Sequence, residues 1–391
     1  MRGRWSILAI LFVVRATMAV QFQSVASVAP LLSQDFGVGL ADIGMLIGLY
    51  FAPGVALALP GGAIGHKLGD KATVCAGLVL MLSGGLMMAL LTSWNGQIAG
   101  RLVAGTGGVL LNVLMTKMVA DWFAGREIST AMAIFVNSWP VGIAASLLML
   151  PPIGAALGVS AAYIAVTALI AAGAVLLITI YEPPAKLVAG TTTRMRLDRR
   201  TALAVIAAGL IWALYNIGFA MIFSFGPTML VERGWSMTAA GSTTSIVLWL
   251  SAISVPLGGF VADRTKRHDL VLVLCCIVFA ILMLLVPRGP PIVPAIVALG
   301  LVCGLAAGPI MSLPAIVLEP ATRAFGMGVF YATFYLGMMI GPVLGGKYAT
   351  WAGTAGAAFD FGAVAILACP IVLWVFHQVA RSIARPALSS T

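Results

Sequence analysis

Apolar runs of about 20 residues recur from one end of this chain to the other, and their length constrains what it can fold into. At 1.5 Å per residue, such a run crosses a hydrocarbon core of ~30 Å as a single helix. Hydrophobic residues make up 61% of the 391 residues, charged residues only 9%, and the mean hydropathy is +1.08. A chain of that composition has too few polar groups to cover a soluble surface. The ten-residue alternation of an outer-membrane barrel is not visible, and a backbone in lipid must satisfy its own hydrogen bonds, so helices are the remaining way to span. The expected fold class is an all-α membrane protein.

Read in order, the runs number twelve, near residues 6–31, 41–61, 72–92, 97–120, 128–150, 159–181, 202–225, 239–261, 269–287, 291–316, 325–349 and 355–378. The polar stretch EPPAKLVAGTTTRMRLDRR, Glu182 to Arg200, divides them six and six. The expected organisation is an N-terminal six-helix bundle over 1–181, a cytoplasmic linker over 182–200 and a C-terminal bundle over 201–391. A secretory signal peptide over Trp5 to Val14 competes for the first run, but Arg15 interrupts it and the apolar sequence then resumes.

A polar hairpin occurs twice at matching places. GGAIGHKLGDK, Gly61 to Lys71, follows the second run, and GGFVADRTKRH, Gly258 to His268, follows the eighth. Gly62 and Lys67 recur as Gly259 and Arg264, an offset of 197 in both cases (259 − 62 and 264 − 67), about half the chain. A repeat at half length implies two similar bundles with a site between them. Placing the N-terminus inside puts 17 of the 22 Lys and Arg residues in cytoplasmic segments, the asymmetry that sets membrane orientation. The same scatter accounts for the net charge of +10 without a nucleic-acid partner. The five cysteines fall inside apolar runs with no metal-ligand spacing, which suits packing.

Twelve helices in two sixes, with a glycine and basic hairpin after helices 2 and 8, resemble the major facilitator superfamily over the whole chain. In that family the hairpin reads Gly, three residues, Asp, Arg or Lys, one residue, Gly, then two basic residues. The second copy supplies Gly259, Asp263, Arg264, Arg267 and His268, with Lys266 at the second Gly position. The first supplies Gly62, Lys67, Gly69 and Lys71, with His66 in place of Asp and Asp70 in place of a basic residue. The resemblance implies a gate at Gly62, Lys67, Gly259, Asp263 and Arg264, with its Asp-centred latch carried better by the second copy. Arg101, Gly105 and Gly107 match the family's RxxxGxG pattern on helix 4. The short termini, the Arg in helix 1 and the run QFQSVASVAPLL are similar to bacterial porters of the cyanate and nitroimidazole type.

Charges inside a membrane helix are costly, so they point to function. Arg15 lies about ten residues into helix 1, ~15 Å deep, where a guanidinium needs a partner or a wet cavity. No acidic residue stands at that depth in helices 4, 7 or 10, so the expected counter-ion is the substrate. Gln23 flanks Arg15. On helix 4, Gly105, Gly108 and Asn112 fall within about 40° of Arg101 and form a polar stripe with it. Helix 5 contributes Asn137 beside Trp139 and Pro140, and helix 7 groups Trp212 and Asn216 with Tyr215 alongside. The segment GPVLGGK, Gly341 to Lys347, has phosphate-loop spacing, but Tyr348 replaces the required Ser or Thr and no strand precedes it.

The expected function is secondary active transport of a small solute, an anion before others, by alternating access. The alternatives are a drug or metabolite exporter working by proton-coupled antiport and, remotely, an intramembrane enzyme. His66, His268 and His377 lie in separate regions, which disfavours the enzyme. No cofactor or metal is expected. The expected partners are a small-molecule substrate, the lipid bilayer and a coupling proton or ion, acting on a monomer in a bacterial inner membrane with both termini cytoplasmic.

Overall fold

A computed structural model of the chain describes residues 3–58, 69–123, 127–183, 196–289, 291–319 and 322–384. Every regular element among them is helical. Eleven helices are long and apolar enough to cross a membrane, and the longest, Ile134–Ile180, is two helices joined end to end. The joint is Gly158, whose φ of 83° is open to glycine at little cost and strained for other residues. Twelve spans result, at the places expected from the apolar runs.

In chain order they are α1 (Arg4–Ser27, continued by Ala29–Phe36), α2 (Leu40–Leu49, continued by Ala52–Leu57), α3 (Asp70–Leu90) and α4 (Trp94–Trp122). Then come α5 (Ile128–Val136, continued over 138–157), α6 (159–180), α7 (Arg199–Glu232), α8 (Met237–Thr265) and α9 (His268–Leu285). The last are α10 (Ile292–Cys303, continued by Ala307–Val317), α11 (Arg323–Ala352) and α12 (Ala357–Ala384).

Four spans are broken in mid-course, and each break has the same chemical cause. Proline has no N–H, so the carbonyl four residues earlier loses its helical donor. Pro30, Pro53, Pro140 and Pro309 follow the breaks at Val28, Tyr50 to Phe51, Asn137 and Gly304 to Ala306, and they withhold the helical donor from the carbonyls of Ala26, Leu49, Val136 and Leu305.

Successive spans run in opposite directions, which puts the start of α1 and the end of α12 on one face, called here the terminal face. Arg4 at the start of α1 pairs with Glu127 ahead of α5 at 2.7 Å. On the same face Arg200 donates to the carbonyl of Ser382 near the end of α12 at 2.7 Å. On the opposite, far face, Arg288 forms a two-bond fork with Asp360 in the first turn of α12, at 2.6 and 2.8 Å. Asp360 is therefore a far-face ion-pair residue.

The first six helices meet the second six chiefly along α2 against α11 and α5 against α8. Both seams are closed at the far face by glycine. A Cβ at Gly44 would collide with the carbonyl oxygen of Pro342, one at Gly48 with that of Met339, and one at Gly346 with that of Leu40. In the other seam a Cβ at Gly241 would strike the carbonyl of Leu147. Backbones this close gain dispersion that lipid tails cannot match. Four hydrogen bonds join the two sets of helices among the described residues: Ala41 to Thr350, Gln23 to Phe223, Asn137 to Ala252 and Asn112 to Tyr335. None of the four lies at the terminal face.

Candidate functional site

All twelve acidic residues are within the described part of the chain, and every one sits within four residues of a helix end. Two arginines, Arg15 and Arg101, lie well inside spans without an acidic partner. Their environments differ, and the difference locates the site.

Arg101 is fully buried. Its Nε donates to the carbonyl of Leu46 at 2.9 Å, Nη1 to that of Gln21 at 2.9 Å and Nη2 to that of Phe22 at 2.6 Å. The guanidinium lies 4.6 Å from the ring centroid of Tyr50, which adds a cation–π contact. Three carbonyls and a ring compensate the charge, so this side chain ties α4 to α1 and α2. The stripe expected along α4 is also filled: a Cβ at Gly105 would meet the Tyr50 backbone and one at Gly108 the Tyr50 hydroxyl. Close packing of α4 on α2 accounts for those glycines.

Arg15 is only partly buried. Its Nε donates to Asn112 Oδ1 at 3.0 Å, and Nη1 reaches the carbonyls of Phe135 and Val136 and the Ser138 hydroxyl at 3.0, 3.2 and 3.2 Å. The Val136 carbonyl is the one that Pro140 deprives of its helical donor, so the break in α5 supplies the acceptor that holds Arg15. Nη2 has no partner among the described residues. One end of the guanidinium is anchored and the other is free.

Asn112 continues the chain of contacts across the protein. Its Nδ2 donates to the hydroxyl of Tyr335 on α11 at 3.1 Å. Tyr331, one turn earlier, lies on the same side of α11. Beside these groups aromatic rings from both sets of helices meet. Phe51 lies 5.9 Å from Tyr335, 6.0 Å from Phe334 and 6.2 Å from Trp139 between centroids, and Trp212 lies 6.2 Å from Phe334. Trp139, Trp212, Phe334 and Tyr331 remain half-buried.

The other sequence candidates fall around this centre in different states. Gln23 is buried, donates to the Phe223 carbonyl at 2.7 Å and leaves Oε1 without a partner. Asn137, at the break in α5, reaches the Ala252 carbonyl at 3.5 Å. Asn216 donates to the Trp212 carbonyl of its own helix at 2.8 Å, which leaves Oδ1 free. Tyr215 stacks on Trp212 at 5.6 Å and is buried, with its hydroxyl donated to the Cys303 carbonyl of α10. Of the expected gate, Gly62 and Lys67 lie outside the described residues. Gly259 is half-buried, whereas Asp263 and Arg264 at the terminal face are exposed. Asp263 faces His268 of its own hairpin at 3.7 Å. Sequence reasoning missed Tyr331, Phe334 and Tyr335, although their i, i+3, i+4 spacing puts them on one side of α11.

Broken helices bordering a central, partly buried charge are the arrangement of membrane proteins that move solutes rather than transform them. The family profile described as Major Facilitator Superfamily matches residues 11–236 and 202–390, and the chain belongs to that superfamily. It is 22% identical to the lysosomal dipeptide transporter MFSD1 of Homo sapiens over 356 residues, 83% of this chain and 75% of that protein. To the probable nitrate transporter NarT of Staphylococcus carnosus it is 24% identical over 244 residues, 61% of this chain and 62% of NarT. To the inner membrane transport protein YajR of Escherichia coli it is 27% identical over 144 residues, 37% of this chain, and the match spans only 31% of YajR. These relatives are named as transporters, and the chain is accordingly a multi-pass membrane transporter and not an enzyme.

Proposed function

We propose that this transporter carries a small anion by alternating access, with the anion held at Arg15 between an N-terminal bundle, 1–181, and a C-terminal bundle, 201–391, joined by the linker 182–200. The observation that carries the reading is the free Nη2 of Arg15. A guanidinium in mid-span costs ~2.5 to 3.5 kcal/mol to insert, and no acidic residue is near enough to offset it. An anion arriving at Nη2 completes the set of partners. Asn112, Asn137 and Asn216 supply polar edges, Gln23 a further acceptor, and Trp212 an apolar wall. Arg101 and Tyr215 support the site by holding helices in place.

The direction of opening follows from the seams. With glycine contacts closing the far face and, among the described residues, no cross-bundle hydrogen bond at the terminal face, the site opens towards the terminal face. The excess of Lys and Arg on that face makes it cytoplasmic, in a bacterial inner membrane, and the protein acts as a monomer. Gly259, Asp263 and Arg264, with Gly62 and Lys67, close that face in the opposite state. A coupling proton or ion drives the cycle.

The reading is tested by reconstituting the full chain in liposomes and following uptake of labelled small anions, nitrate and short carboxylates among them. Saturable uptake by the wild type, lost in Arg15→Gln at matched insertion, is the expected result. Uptake that Arg15→Gln leaves intact overturns it. The competing export of a cationic drug is favoured if a cationic dye accumulates instead, and it would require a carboxylate that mid-span positions lack.

A further inference from the structure

We infer that the anion is an organic monoanion with a ring-sized apolar body, such as an arylcarboxylate, in preference to a bare inorganic ion. This rests on the anion reading of the Arg15 site. Most of the guanidinium is already committed: Nε to Asn112 and Nη1 to Phe135, Val136 and Ser138. What remains for a ligand, among the described residues, is one nitrogen, Nη2. A compact oxyanion gives up a full hydration shell on entering, and one nitrogen replaces little of it.

Apart from the amide edges of Asn112, Asn137 and Asn216, the surroundings are ring faces. Phe51, Trp139, Trp212 and Phe334 form a linked wall with centroid separations of 6.0 to 6.2 Å. Phe22 backs it, 4.9 Å from Phe51 and 5.2 Å from Trp139. Aromatic faces carry negative potential, so they repel an anion laid against them and attract an apolar or edge-on aromatic body. The head and the wall are also joined. Asn112 bonds both Arg15 and Tyr335, and the Tyr335 ring lies 5.9 Å from Phe51 and 5.3 Å from Phe334. A ligand with its charge on Nη2 therefore has its body beside the wall. Because the wall draws Phe51 and Trp139 from one bundle and Trp212 and Phe334 from the other, such a body touches both moving parts, which a small ion at Nη2 does not.

The test is direct binding to the purified full chain in detergent, by calorimetry, with benzoate, acetate, nitrate and the neutral isostere benzamide as probes. Benzoate is expected to bind at least tenfold more tightly than acetate or nitrate, and benzamide not to saturate. Phe334→Ala and Trp212→Ala are each expected to weaken benzoate binding until its preference over acetate is gone, and an undiminished preference for benzoate in both variants overturns the inference. Equal affinity for benzoate, acetate and nitrate, all lost in Arg15→Gln, overturns the ring-bearing ligand and leaves the anion reading standing. Benzamide binding as well as benzoate, or indifference of benzoate to Arg15→Gln, overturns the anion reading itself. No saturation by benzoate in the millimolar range overturns the inference.

Discussion

Asn112 on α4 stands between Arg15 and Tyr335, accepting from the Arg15 Nε at 3.0 Å and donating to the Tyr335 hydroxyl at 3.1 Å, across 223 residues of chain. The contact joins the charged centre of one set of helices to the aromatic face of the other. It must break when the two sets separate around the site. Loss of the hydroxyl removes a neutral hydrogen bond present in this state, of ~0.5 to 1.5 kcal/mol, or roughly two- to tenfold in a two-state population. Tyr335→Phe is therefore expected to shift the protein away from the state closed at the far face. Spin-label distances across the far face report it as a growing long-distance fraction, and an unchanged distribution counts against a part for this bond in the cycle.

The seam of α2 and α11 makes a stronger version of the same prediction. Gly44 meets the Pro342 backbone where no Cβ fits, and backbone cannot swing aside as a side chain can. Gly44→Val is expected to hold the far face open, abolish transport and raise labelling of far-face cysteines, with insertion unaffected. Normal transport by this variant would show that the seam opens at no functional cost.

How much of this was legible in the sequence differs between fold and site. Twelve apolar runs gave twelve spans because lipid leaves a helix no alternative, and hydropathy reads that constraint directly. The prolines that break α1, α2, α5 and α10 are also visible, Pro140 among them beside Asn137. What could not be read was which donors are already spent. Arg15 and Arg101 look alike in sequence, each deep in a run, yet Arg101 meets three carbonyls from neighbouring helices and Arg15 keeps a nitrogen without a partner among the described residues. That distinction lies in how α1, α2 and α4 cross, which no one-dimensional pattern encodes. The α11 tyrosines carry no such signal, because a tyrosine in an apolar run packs equally well against lipid, a neighbouring helix or a central site.

The two arginines should part in stability as they do in structure. Arg101→Gln leaves carbonyls of Leu46, Gln21 and Phe22 unmatched in a fully buried site, and hydrogen bonds to a charged group are worth ~1.5 to 3 kcal/mol each. A large fall in melting temperature and in inserted yield is expected. Arg15→Gln should melt within a few degrees of the wild type, since Asn112 is half-buried and keeps Tyr335, and the buried Ser138 hydroxyl keeps its bond to the Phe135 carbonyl. Comparable destabilisation by both variants would contradict the separation of roles. Fluorescence-monitored melting in detergent measures it.

Acid should loosen the start of α7 first. Asp198 Oδ2 accepts from the backbone N–H groups of Arg200 and Thr201, both at 3.1 Å, and its bonding to Thr201 holds the carboxyl below its ordinary range. A depressed folded value means that the cap contributes above the unfolded carboxylate pKa of ~3.9 and is lost as pH falls through the folded value. The group is exposed, so solvent screens the effect and it stays local. Asp198→Ala should speed amide exchange at Arg200 and Thr201 at neutral pH by the roughly 1 kcal/mol of a lost N-cap. Asp198→Asn, which still accepts, should protect those amides and remove the acid dependence.

The hairpin after α8 gives a prediction of opposite sign. With the far face closed, the Asp263 side chain is 80% exposed and its partner is His268 of the same hairpin. Among the described residues nothing from the first six helices touches it through a hydrogen bond or ion pair. If Asp263 and Arg264 latch the terminal face, that energy belongs wholly to the other state, the one in which the far face opens. Asp263→Lys should then leave this state unchanged, destabilise the other and drive the protein further towards far-face closure. Tyr335→Phe and Gly44→Val push the opposite way, so combining Asp263→Lys with Tyr335→Phe should bring the far-face distances back towards those of the wild type, because the two residues share no partner and independent effects add. Ligand affinity at Arg15 should follow the population of the competent state and nothing else. A shift of Asp263→Lys in the same direction as Tyr335→Phe, or loss of binding with unmoved distances, would show that the hairpin acts on the site and not on the gate.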